Sequence, residues 1–75
     1  MPHVIVKLWP GRSEELKQKL AEQISKDISE IINKSEDSVS VAIEEINKED
    51  WAKEVYEPEI KANWDKLYKK PGYTM

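Results

Sequence analysis

The chain has 75 residues, with 12 Lys+Arg against 15 Asp+Glu, 39% hydrophobic residues including three Trp, and no Cys. This excludes a disordered composition and a disulfide framework, and the net charge of −3 argues against a non-specific nucleic-acid binder. With a single His, a structural zinc site lacks ligands, and no apolar run reaches the roughly 18 residues of a membrane span.

In chain order, Pro2 to Leu8 alternates. Val4, Val6 and Leu8 share one face and His3, Ile5 and Lys7 the other, which predicts a strand. Trp9-Pro10-Gly11 breaks it. Ser13 then reads as a helix N-cap, with Glu14 and Glu15 in the first turn, where carboxylates suit the dipole. Leu16, Leu20, Ile24, Ile28 and Ile31 or Ile32 recur every three or four residues, while Lys17, Lys19, Glu22, Lys26 and Glu30 point elsewhere. That is an amphipathic helix of about 20 residues. Asn33 to Ser38 is turn-like. Val39, Val41 and Ile43 then alternate with Ser40, Ala42 and Glu44, a second strand. Strand, helix, strand predicts parallel strands joined by a right-handed crossover.

Beyond this, Glu49 to Glu57 predicts a helical turn. Pro58 is placed to open a further helix, with Ile60, Trp64 and Leu67 as its stripe. Tyr73-Thr74-Met75 is β-compatible. No repeat or linker divides the chain, so residues 1–75 read as one domain. A single helix covers one sheet face only, which leaves Ile5 and Ala42 on an open face. A chain this short buries only about 60% of its unfolded surface. Both points favour a second subunit against the sheet. With no basic segment followed by an apolar stretch at the start, a cytoplasmic protein is expected.

Candidates for chemistry are few. His3, beside the start of the strand, reads as a surface or structural residue. Pro2 stands behind the initiator Met. Removal of Met1 turns its nitrogen into a secondary amine, which takes a proton as an amide does not. Ordinary α-amines titrate at about 7.7–8.0, and an apolar pocket lowers that value, so such an amine suits a general base. Arg12 is the only arginine. Its planar fork, in the loop before the helix, suits either a bound carboxylate or solvent at a helix start.

Pro2 after Met1, the strand, Gly11-Arg12-Ser13, the long helix and Ser38-Val39-Ser40-Val41 together resemble the 4-oxalocrotonate tautomerase family. Trp51, Pro58-Glu59-Ile60 and Lys70-Pro71-Gly72-Tyr73 are similar to its bacterial PptA subgroup. The resemblance implies a tautomerase/MIF-like α/β (α+β) fold. A β-α-β unit carries an added C-terminal helix, and dimerisation completes the sheet. It implies a keto–enol tautomerase, without cofactor or metal, in which Pro2 carries the proton once Met1 is removed. Arg12 would bind the substrate carboxylate and Trp51 would line the pocket. Ser40 stands where the oxalocrotonate enzyme has a second arginine. That departure implies a monocarboxylic enol acid such as phenylenolpyruvate rather than a dicarboxylate. A homodimer is expected, a hexamer being the other known assembly, with no nucleic-acid or membrane partner. Two alternatives stay open: a dehalogenase or hydratase of unsaturated acids, and a non-catalytic homo-oligomeric binding protein.

Overall fold

A computed structural model describes residues 1–75. The chain forms two compact units, Met1–Glu45 and Ile46–Met75. The first is a β-α-β unit built from β1 (His3–Leu8), α1 (Glu14–Ile32) and β2 (Ser40–Glu45). The two strands are parallel, with His3 opposite Ser40, Ile5 opposite Ala42 and Lys7 opposite Glu44.

Local chemistry sets the boundaries of α1. The Ser13 hydroxyl accepts the Leu16 N–H at 3.1 Å, and Glu14 and Glu15 sit in the first turn. Such a cap contributes about 1 kcal/mol. At the other end Asn33 takes the left-handed conformation, φ 56° and ψ 52°, and its N–H bonds the Ser29 carbonyl. Asn tolerates that region better than most residues.

The expected apolar stripe is rotated slightly. Leu20, Ile24 and Ile28 are half-buried, as the spacing predicts, but so are Lys17, Ala21, Ser25 and Ser29. Leu16 is half exposed and Ile31 is 82% exposed. The half-buried row 21–25–29 carries small side chains, Ala21, Ser25 and Ser29. The inward turn of Lys17 has an electrostatic cause: its ammonium pairs with Glu14 at 2.8 Å and with Glu45 at 3.2 Å. The hydrogen bond with Glu14, followed by that with Glu45, holds Lys17 above the usual lysine range, against an opposing desolvation.

The second unit departs most from expectation. After a 3₁₀ turn at Lys48–Asp50, residues Ala52–Lys61 form a π-helix with Pro58 inside it, not at its start. Proline lacks the N–H that an α-helix needs, and its ring crowds the carbonyl four residues back. A wider turn relieves that crowding. The Ala62 N–H accordingly reaches the Glu57 carbonyl, five residues back, at 3.2 Å. Asn63 closes the helix, its side-chain amide donating to the Glu59 carbonyl at 3.1 Å. Val55 and Tyr56, at 5% and 4% exposure, are the only buried hydrophobic residues of the whole chain. Tyr73-Thr74-Met75 forms no strand here.

Two consequences bear on function. No residue of the first unit is buried, and Ile5 on the sheet face away from α1 is 50% exposed. No helix is long and apolar enough to cross a membrane.

Candidate active site

Arg12 is positioned by a tight loop. Trp9-Pro10 ends β1, and Gly11 follows at φ 119°, a backbone region open to glycine and strained for other residues. This reversal brings the Arg12 Nη1 back to donate to the Trp9 carbonyl at 3.1 Å. The bond uses one of the five guanidinium donors. The side chain is exposed, at the mouth of the loop and one residue ahead of the Ser13 cap. Gly11→Ala is expected to cost about 1–3 kcal/mol in chemical denaturation, from backbone strain alone. A Cβ at that position would meet nothing within 4 Å.

Pro2 lies at the opposite end of β1, where its carbonyl accepts the Ser40 N–H at 3.1 Å. The expectation of a keto–enol tautomerase driven by an amino-terminal proline base is corrected here. The first residue is Met1, so the Pro2 nitrogen belongs to the Met1–Pro2 peptide bond. Resonance commits its lone pair to the carbonyl, and an amide nitrogen of this kind takes no proton near neutral pH. The choice of a monocarboxylic enol acid such as phenylenolpyruvate, argued separately from Ser40 in place of a second arginine, is withdrawn together with the mechanism it was to serve.

Pro2 precedes β1 and Arg12 follows it. The strand between them, His3–Leu8, is roughly 17 Å long at about 3.3 Å per residue. Trp51 lies in the second unit, half-buried, between the 3₁₀ turn and the π-helix. Its Nε1–H donates to the Tyr73 hydroxyl at 3.1 Å.

Two groups escaped sequence reasoning. His3 Nδ1 and Ser40 Oγ lie 2.6 Å apart across the two strands, beside Pro2. The parallel register creates that pair, and only alignment of the two strand starts would have found it. Tyr73 is the other, since nothing in the spacing links it to Trp51. An open recess lined by Glu14, Lys17, Gln18, Ala21, Val41 and Ile43 borders the Lys17 ion pairs and includes neither Pro2 nor Arg12.

Comparison with known proteins bears on what this geometry is for. A family model described as a tautomerase enzyme matches residues 2–56. The chain is 47% identical over 75 residues to Tautomerase PptA of Pectobacterium atrosepticum, covering 99% of each protein. It is 41% identical over 73 residues to a probable tautomerase of Xylella fastidiosa, covering 97% of this chain and 89% of that one. Among solved structures it is similar to YwhB, a homologue of 4-oxalocrotonate tautomerase. The TM-score is 0.61 at 38% identity, over 63% of this chain and 77% of that one. The parallel β-α-β unit and its extra helical segment therefore carry a tautomerase/MIF-like fold. The chain belongs to the tautomerase family, in the 4-oxalocrotonate tautomerase group close to PptA, and is an enzyme of the isomerase class.

Proposed function

We propose that the chain catalyses keto–enol tautomerisation of small carboxylic acids, with Arg12 as the anchor for the substrate carboxylate. The supporting observation is the loop: Gly11 and the Trp9 carbonyl hold an exposed guanidinium at a defined place on a tautomerase scaffold. Tautomerisation moves one proton between carbon and oxygen, with no net change of oxidation state. A carboxylate fixed on a guanidinium fork aligns the neighbouring enol or keto group for that transfer. Trp51 offers an indole face as an apolar contact for the substrate.

A homodimer is part of the same proposal. Support comes from the absence of any buried residue in the first unit and from the half-exposed Ile5. A second copy laid against that sheet face supplies the cover the single chain lacks. A cytoplasmic setting and a single functional domain over residues 1–75 belong to the proposal as well.

Hydrolysis of the Met1–Pro2 bond converts an amide into a secondary amine, so the state of the amino terminus is fixed by intact mass before any assay. The test is proton exchange in D₂O, with phenylpyruvate as probe and the loss of its benzylic C–H signal followed by NMR. Exchange faster than in protein-free buffer is expected. Exchange no faster than buffer would remove the tautomerase reading.

A further inference from the structure

The tail of the chain makes two contacts that the proposed chemistry does not yet use. The Tyr73 hydroxyl accepts the Trp51 N–H at 3.1 Å. The Tyr73 ring also lies 5.8 Å from the Tyr56 ring, tilted by 39°. Tyr56 is 4% exposed, and Tyr73 itself is 43% exposed. A partly exposed tail residue is thus seated on a buried ring and points its hydroxyl at the indole.

An indole has a single donor, and this bond occupies it. The backbone at Trp51 is helical, φ −57° and ψ −48°, which fixes where the side chain starts but not how the ring is turned. The ring's two-fold χ2 freedom is broad in the absence of a partner. The hydrogen bond selects the orientation that brings the Nε1 edge to Tyr73. The tilted ring contact with Tyr56, in the range favoured by aromatic pairs, keeps Tyr73 in place to receive it.

We infer that Tyr73 is a positioning residue for Trp51: the carboxy-terminal tail clamps the indole so that one fixed face is offered to substrate. This inference rests on the reading of Trp51 as a substrate contact. The two contacts are chemically separable. Tyr73→Phe keeps the ring on Tyr56 and removes only the hydroxyl, so it leaves the tail seated and the indole unclamped.

The experiment has two independent arms. In the first, Trp9→Phe and Trp64→Phe leave Trp51 as the sole indole, and time-resolved fluorescence anisotropy reports its local motion. Adding Tyr73→Phe is expected to increase the amplitude of the fast, nanosecond depolarisation. Unchanged anisotropy would overturn the clamp. In the second arm, KM and kcat for phenylenolpyruvate as probe are measured for Tyr73→Phe, Trp51→Phe and the double variant. Tyr73→Phe is expected to raise KM by about two- to tenfold, the range of one neutral hydrogen bond, with a smaller change in kcat. In the Trp51→Phe background the same change should have no further effect, because its route is gone. An equal rise in KM in both backgrounds would overturn the inference, since Tyr73 would then act without Trp51. If Trp51→Phe alone leaves KM and kcat as in wild type, the substrate role of Trp51 falls. The functional half of the inference falls with it, while the anisotropy still decides whether the tail holds the ring.

Discussion

Arg12→Ala is expected to raise KM for an enol carboxylate by about ten- to a hundredfold, the range of a lost hydrogen-bonded charge contact. The reasoning starts from the loop. Gly11 at φ 119° returns the chain, and the guanidinium bonds the Trp9 carbonyl, so the fork is held without being buried. An exposed arginine of this kind contributes little to folding, and the variant should unfold within about 0.5 kcal/mol of wild type. Loss of affinity without loss of stability is the signature of a ligand contact. Arg12→Lys should recover only part of the affinity, because an ammonium keeps the charge and lacks the bidentate fork. Steady-state kinetics beside chemical denaturation separate these cases. An unchanged KM in Arg12→Ala would show that the carboxylate is held elsewhere.

Ile5→Asp is expected to convert a dimer into a monomer and to lower stability steeply. Ile5 faces away from α1, opposite Ala42, and is 50% exposed in the single chain. The apolar residues of the first unit are at most half-buried, so a partner on the sheet face would remove further apolar surface from water. If a second copy covers that face, the substitution places an unpaired carboxylate in the interface. Each such charge costs about 3–5 kcal/mol, which weakens association by at least about a hundredfold. Sedimentation equilibrium across a range of concentrations reads the change directly. A variant that remains dimeric would show that copies meet through another surface, such as the free edges of β1 and β2.

Much of the first unit is legible in the sequence, because its elements obey simple periods. Val4, Val6 and Leu8 alternate as a strand should, and Leu20, Ile24 and Ile28 recur as a helix face should. Ser13 and Asn33 mark the two ends of α1 by chemistry that acts locally. The inward turn of Lys17 was not legible. Charge alone assigns it to solvent; the Glu14 contact one turn back is visible in the spacing, but the second partner, Glu45 on β2, comes only with the fold. Pro58 misleads for a related reason. Its usual place is the first turn of a helix, and the wider π-turn that accommodates it inside one has no signature in composition. At the candidate site, Arg12 stands out as the one arginine, in a loop marked by glycine. The chemistry of Pro2 depends on one peptide bond, and with Met1 attached the expected base is an amide. The contact of Trp51 with Tyr73 spans 22 residues and follows no period, so it emerges only from the folded chain.

The most direct test is the ketonisation rate of an enol carboxylic acid, followed by absorbance, for wild type and Arg12→Ala at equal, mass-verified amino termini. A saturable rate above buffer that falls sharply at low substrate concentration in Arg12→Ala is the expected result. A wild-type rate equal to buffer, or a rate indifferent to Arg12, would contradict the assignment of this chain as a tautomerase that grips its substrate through that guanidinium.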